Sequence, residues 1–436
     1  MDIALLLIDS RGGVQPYLAL ALGLRRAGHG VRVIAPSGYM PMVRACGLDA
    51  HPLSGDIEAL IRGSGAVTER GTVASIRFGV AQLRRYVADW TREAERACSG
   101  VDLIAAGIGG EAIGLAVAEK LGVPFIEAHL HPVGASASTF PGLLAAWMPP
   151  WLGTPGHDLS HTITELALAA PRWVATTVAR SVLRLPGWSR RVHACTALYG
   201  YSRHVLPEVP EWRGSRHVTG YWQLPTSPDW RPSPALAAFV DAPGPVVCVG
   251  FGSMVNKDPR ALSDLVSRAV RRAGVRAVLL TGWGGLEGDS GGHLFYADSV
   301  PHDWLFPRMR GVVHHGGAGT TGAALAAGVP ALIVPFTMDQ PFWASRVAAL
   351  GVGPTPIPRR KLDVDNLTVG IERLVSDQEL ARHAAALGGR VRAEDGVGEA
   401  VRHIVQRGAG GTPTVLEPSA AGAPPRTARK LNNQTA

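Results

Sequence analysis

Short unbroken apolar runs alternate along this chain with segments of helical period, and that alternation restricts the fold more than any other feature. Ile3–Ile8 is one such run, as expected of a strand buried on both faces of a parallel sheet. The loop Asp9–Pro16 follows, then Tyr17–Ala27 with helical spacing and a stop at Gly28, then a second strand, Val31–Ala35. Val101–Ala106, the helix Glu111–Leu121 closed by Gly122, and Pro124–Ala128 extend the pattern. It restarts with the strand Val246–Gly250 and the loop Phe251–Lys257, and continues through strands at Arg276–Leu280, Gly311–His314 and Ala331–Pro335. Helices are predicted at Thr320–Ala327 and Phe342–Leu350. An α/β protein of two Rossmann-like, doubly wound domains with a cleft between them is the expected architecture.

Between the two runs of alternation, Pro207, Pro210, Pro225, Pro228, Pro232, Pro234, Pro243 and Pro245 break the pattern. The expected organisation is therefore a domain over 1–206, a linker over 207–245, a second domain over 246–406 and a disordered, Gly- and Pro-rich tail over 407–436. With 436 residues, 46% hydrophobic and 18% charged, the chain has material for two cores. Its net charge of +8 comes from an arginine-rich, lysine-poor composition without a basic run able to track a phosphate backbone. Nucleic acid is thus not an expected partner, while weak peripheral attraction to anionic membranes is compatible with it. Cys46, Cys98, Cys195 and Cys248 are far apart and form no C-x-x-C, which argues against a disulfide framework or structural zinc and fits a reducing cytoplasm. Met1–Ser10 lacks the basic start of a signal peptide, and the apolar stretch Phe140–Gly153 carries three prolines, so no transmembrane segment is predicted.

The segment His314-His315-Gly316-Gly317-Ala318-Gly319-Thr320-Thr321-Gly322 leaves a strand and opens a helix. Glycines let backbone approach a ligand closely, and a helix N-terminus presents free N–H groups and a positive dipole end. This is a phosphate site on physical grounds. Gly317 to Gly322 also fits G-x-G-x-x-G, and Asp339 follows at the spacing of a dinucleotide fingerprint, so a nicotinamide or flavin oxidoreductase competes. Two features favour sugar transfer instead. The imidazoles ahead of the glycines suit a departing diphosphate, and Asp339-Gln340 suits sugar hydroxyls.

Further motifs carry a resemblance. Val300-Pro-His-Asp-Trp-Leu-Phe-Pro, the His314–Thr321 segment and Asp339-Gln340-Pro341-Phe342-Trp343 stand in the order found in sterol-glucosyltransferase-like enzymes. Those enzymes belong to the inverting family, of GT-B fold, that includes natural-product glycosyltransferases. Ser10-Arg11-Gly12-Gly13-Val14-Gln15-Pro16 resembles the family's N-terminal S-R-G-D-V-Q-P loop. Tyr199-Gly-Tyr-Ser202, Val218-Thr-Gly-Tyr-Trp222 and Val249-Gly-Phe-Gly-Ser253 are also similar, so that the likeness runs from residue 1 to about 400. It implies that His315, with Ala318, Gly319 and Thr320, holds the diphosphate of a nucleotide-sugar donor, and that Val300 and His302 lie by the base. Ser253 would approach the phosphates, Asp339 and Gln340 would hold the sugar, and Ser10 and Arg11 would face it from the other domain. The product would be a glycosylated apolar, hydroxyl-bearing acceptor: sterol-like, lipid or polyketide.

One departure matters. Gly13 stands where the family carries an acid, and glycine cannot take a proton. Asp9, His129 and His131 are the candidate bases, and a weakly active or auxiliary homologue is the alternative within the class. Leu362-Asp363-Val364-Asp365 contains D-x-D, a metal-binding string in other glycosyltransferases, but a helix cap near Asn366 accounts for it. Neither metal nor cofactor is expected beyond the donor as co-substrate. Trp304 reads equally as a base-stacking group or a wall residue. Phe140, Trp147, Met148, Trp151, Trp173 and Trp188 read as an apolar acceptor cleft or as ordinary core.

Overall fold

The computed structural model describes residues 1–55, 86–134, 137–146, 148–186, 195–212, 214–254, 256, 258–282 and 286–409. Two all-parallel sheets organise it. The first has seven strands in the order β3-β2-β1-β4-β5-β6-β7: β1 Asp2–Leu6, β2 Gly30–Pro36, β3 Asp49–Leu53, β4 Leu103–Ala106, β5 Phe125–His129, β6 Thr196–Tyr199 and β7 Arg216–Val218. The second has five, in the order β10-β9-β8-β11-β12: β8 Val246–Gly250, β9 Arg276–Leu280, β10 Leu294–Ala297, β11 Gly311–His314 and β12 Ala331–Ile333. Leu5, Leu6, Val33, Ile104, Val247, Val249, Val312 and Val313 are fully shielded, as strands covered by helices on both faces require.

In each sheet the order reverses between a first strand and the one that follows the outward run: β1 and β4 in the first, β8 and β11 in the second. Ligands of doubly wound sheets bind at such a reversal, beyond the carboxyl ends of the strands. The turns that leave β1, β4, β8 and β11 are therefore singled out by topology, those after β1 and β11 among them.

The expected architecture is observed, and three of the differences in its limits bear on the site and the domain boundary. The helix after β1 spans Arg11–Arg26, so most of the expected loop Asp9–Pro16 is helical. Pro16 lies in the second turn of this helix, where it removes the N–H that would have bonded to the Gly12 carbonyl. Second, β7 and the helix Pro234–Asp241 lie inside the segment 207–245 expected to be linker. Residues 216–218 pair with β6 and belong to the first sheet, so the chain leaves that domain near Thr219 and Gly220. Third, the helix Gly396–Ala409 continues past residue 406, up to the point where the described residues end. It packs on the first domain: a side chain on Gly23 would strike Val397, and one on Gly408 would strike Met1. Residues 410–436 of the expected tail lie outside the described residues.

One apolar cluster runs through both domains. Phe140 meets Phe342 edge-on at 6.1 Å, and Tyr201 meets Trp343 at 5.8 Å. Phe140 is thus interdomain core, and Trp212 packs behind it, fully buried against Phe140 and Tyr199. Trp151 and Trp173 are not core, being 81% and 55% exposed. Leu159, Leu166 and Trp173 form an exposed apolar stripe, since positions 159, 166 and 173 of the helix Gly153–Val182 share a face. Trp147 and Trp188 lie outside the described residues. All four cysteines are free thiols.

Candidate active site between the two domains

The glycine-rich turn leaves β11 and opens the helix Ala318–Ala327. Its cap residue, Gly317, has no side chain to satisfy the first N–H groups, which are left for a ligand. Gly316 sits at φ +94°, where a side chain would also press on Ile333, so only glycine turns the chain here. His314 fixes the turn from beneath, its Nδ1 accepting from the Gly316 N–H at 3.0 Å.

His315 lies between two glycines. A Cβ on Gly252, in the turn after β8, would come within 2.8 Å of its Cε1, and one on Gly317 within 2.5 Å of its Nε2. The ring is 8% exposed, and its Nδ1 has no hydrogen-bond partner, nor does Nε2 of His314. A buried polar atom left unpaired is costly unless a ligand completes it. Burial, and then the neighbouring His302, hold His315 down to about 4, so it is neutral near pH 7. Burial and the cation of Arg11 lower His302 likewise to about 4, with Asp303 opposing. Arg11 thus reaches the second domain's histidines from the first turn of its own helix. A Cβ on Gly319 would stand 3.2 Å from the Gly12 carbonyl, so two helix N-termini converge across the cleft.

The remaining expected residues separate into groups. Ala318, Gly319 and Thr320 form the first turn of the anion-binding helix, and Ser253 follows Gly252 opposite His315. Val300 is core, 5% exposed, just before the helix His302–Leu305, and His302 stacks on Phe306 at 4.3 Å. Asp9, Ser10, His131 and Asp339 converge. His131 Nδ1 lies 3.3 Å from Asp339 Oδ2, bridging the domains, and Asp9 accepts from the Ser10 N–H at 2.6 Å. Burial raises the Asp9 carboxyl above its usual range, while His131 pulls it back and Asp339 adds to the rise. Met338, before Asp339, holds a left-handed backbone at φ +57°, the kind of strain found in ligand-holding loops.

Two of the expected residues are engaged within their own domains. Gln340 does not turn its amide oxygen to the cleft: it accepts from Phe336 N at 2.7 Å and Thr337 N at 3.1 Å, and its Nε2 meets Met254 Sδ at 3.2 Å. It shapes the loop that carries Asp339. His129 stands apart from the other two base candidates. As the last residue of β5 it shares a face with Glu127, whose Oε2 is 3.4 Å from its Nε2, in a polar cluster near Glu111 and Arg172. His131 is two residues past the strand end, free of that alternation. Trp304 is a wall residue, held by Arg308 at 4.5 Å and Trp230 at 5.4 Å. Asp363 caps the helix Val364–Ser376 in a reciprocal capping box with Asn366, and Asp365 pairs with Arg272, so the D-x-D string is structural. Among the described residues no group of three metal-ligating side chains forms. Of the two imidazoles ahead of the glycines, His314 fixes the turn and His315 faces the anion site.

The oxidoreductase alternative meets a topological obstacle. A dinucleotide fingerprint occupies the turn after the first strand of its sheet. Here the glycine-rich turn follows β11, the fourth strand of the second sheet, and the turn after its first strand holds Gly252 and Ser253. Two doubly wound domains with anion-ready turns facing each other define the GT-B class of glycosyltransferase fold. A Streptomyces sp. SF2575 glycosyltransferase solved with thymidine diphosphate superposes with a TM-score of 0.62 at 21% identity, over 93% of this chain and 99% of that one. Residues 3–138 match the family model for the glycosyltransferase family 28 N-terminal domain, and residues 292–406 the erythromycin biosynthesis protein CIII-like C-terminal domain. A sterol 3-beta-glucosyltransferase of Emericella nidulans is 34% identical over 428 residues, covering 93% of this chain and 30% of its own length. One of Arabidopsis thaliana is 32% identical over 420 residues, covering 92% and 65%. The chain is a glycosyltransferase by its two family-model matches, similar over most of its length to these sterol enzymes, and it spans less than two thirds of the length of those sterol relatives.

Proposed function

We propose that this protein is an inverting glycosyltransferase that moves a hexose or deoxyhexose from a nucleotide diphosphate sugar, with UDP or dTDP as carrier, to a hydroxyl of an apolar acceptor such as a sterol, lipid or polyketide. The observation that carries the reading is His315: a buried, unpaired imidazole held between Gly252 and Gly317, beside a helix N-terminus with no side-chain cap. This is a receptor for a diphosphate. As the bond to the anomeric carbon breaks, negative charge grows on the leaving diphosphate, and preoriented N–H groups and imidazole stabilise it without reorganising. Arg11 supplies positive charge from the opposite domain. No metal is needed in this scheme, because the helix terminus, His315 and Arg11 already meet the charge. Asp339 orients the sugar, and the acceptor hydroxyl attacks from the face opposite the diphosphate, which inverts the anomeric carbon.

The sterol relatives favour an apolar acceptor. The exposed stripe of Leu159, Leu166 and Trp173, with the exposed Trp151 just before its helix, suits peripheral contact with a membrane that carries one, and no described helix is long and apolar enough to cross it. The test is a screen of UDP- and dTDP-sugars against a mixed sterol and polyketide panel, read as the mass gained by the acceptor. Gain of a hexose or deoxyhexose with inverted anomeric configuration is expected. Saturable nucleotide binding without transfer would favour an auxiliary role. A nicotinamide or flavin absorbance change without nucleoside diphosphate binding would overturn the reading.

A further inference from the structure

Gly13 lies in the first turn of the helix Arg11–Arg26, and the space beside its Cα is filled. A Cβ built there would land on the carboxylate of Asp9, meeting Cγ and both oxygens. Asp9 leaves the end of β1, turns back over the helix start and occupies the place a side chain at 13 would take. Gly12, one residue earlier, has nothing within 4 Å of its own Cβ position, so the crowding is specific to residue 13. The seat is built from several sides. The Ser10 N–H holds one carboxylate oxygen at 2.6 Å, and Tyr17 ties the helix to β5 through its hydroxyl, which donates to the Ala128 carbonyl at 2.5 Å. His131 and Asp339 approach from the loops after β5 and β12.

We propose that Asp9 takes the proton of the acceptor hydroxyl, and that residue 13 is glycine because this carboxylate fills the space of its side chain. The inference rests on the transferase reading above and adds to it the group that activates the acceptor. In the step, the hydroxyl oxygen forms its bond to the anomeric carbon and its proton passes to Asp9. The bond from that carbon to the diphosphate breaks, and its electron pair leaves with the nucleoside diphosphate. Position favours Asp9 over the two histidines. It stands at the strand-order reversal of the first sheet, whereas His129 is paired with Glu127, and His131 faces Asp339 at 3.3 Å. The titratable groups facing it are His131, Asp339 and Tyr17. Its raised proton affinity, caused by burial, is what a base working near neutrality needs.

The experiment compares wild type with Asp9→Asn, Gly13→Ala, Asp9→Gly and the exchange Asp9→Gly with Gly13→Asp. Transfer rate against pH and nucleoside diphosphate affinity are measured for each. Asp9→Asn is expected to lose about 10²–10⁴-fold in kcat, with the acidic limb of the pH profile removed and nucleotide affinity unchanged. Gly13→Ala should lower kcat in the same manner, because the methyl group evicts the carboxylate. Asp9→Gly should be as impaired as Asp9→Asn, and adding Gly13→Asp should restore much of the rate by returning a carboxylate to the same space. An Asp9→Asn enzyme with the wild-type rate and pH profile would overturn the inference and leave the transferase reading standing, as would an exchange that restores nothing. Absence of transfer by the wild type with every donor would overturn both.

Discussion

Acidification should unlock the second domain through its histidines, and His315 lets the size of the effect be worked out. In the unfolded chain this imidazole takes a proton near 6.5, while in the folded protein burial and His302 hold it down to about 4. Between those values the unfolded state binds more protons, so stability falls as pH drops from about 6.5 toward 4 and is fully retained above. Passing through the whole window costs about 3 kcal/mol for this one group, and going from about pH 7 to pH 5 costs about 2 kcal/mol. The perturbation is His315→Gln, which removes the titrating group and keeps a polar side chain. Chemical denaturation followed by circular dichroism at about pH 7, 6 and 5 gives the stability lost by each protein. The variant should lose about 2 kcal/mol less than wild type over that range, whatever its stability at neutral pH. His302→Gln acts on the same cluster, so the two savings should fall short of additive. Equal losses in wild type and His315→Gln would refute the reasoning, since the imidazole would then titrate alike in both states.

Other expectations concern separate features. Gly317→Ala brings a methyl group to 2.5 Å from His315 Nε2 and should weaken nucleoside diphosphate binding by about tenfold or more in calorimetry. Gly389→Ala, whose Cβ would meet nothing within 4 Å, should bind as wild type. Asp363→Ala removes the capping box and should cost about 1 kcal/mol of stability in denaturation, while transfer persists in a chelator. Chelator-sensitive transfer restored by a divalent cation would instead return the D-x-D string to the reaction. Trp151→Ser with Trp173→Ser should reduce co-sedimentation with sterol-bearing anionic vesicles and leave nucleotide affinity unchanged, because both side chains are exposed and belong to the first domain, not to the donor turn.

Local signals carried much of this fold. The runs Val246–Gly250, Arg276–Leu280 and Gly311–His314 are strands with the limits read from their apolar pattern, and Gly122 closes its helix in the left-handed conformation expected of it. The anion turn was legible because glycines and a helix start leave few alternatives. Proline density concealed β7, whose three residues are too few to show a period and gain their strand character from pairing with β6. The division between His129 and His131 depends on where β5 ends, and a shift of two residues would have sent both to one face. Gln340 reads as a sugar ligand in one dimension, but the loop Phe336–Thr337 curls back onto its amide. Asp9 and Gly13 are a matched pair only in space: no sequence pattern says that one side chain fills the absence of another.

The last helix has a practical consequence. Enzymes of two domains invite grafting, in which the donor half of one is joined to the acceptor half of another. A single cut near Gly220 would carry Gly396–Ala409 away with the wrong partner, leaving Gly23 and Met1 of the acceptor half uncovered. The seam of such a chimaera has to be cut twice, once near Gly220 and once near Gly396. These two glycines touch, a Cβ on Gly220 lying 2.9 Å from the Gly396 Cα, so both joins fall at one small patch of backbone, where Glu394 is the side chain to keep with its own half. The chain thus marks its own splice site.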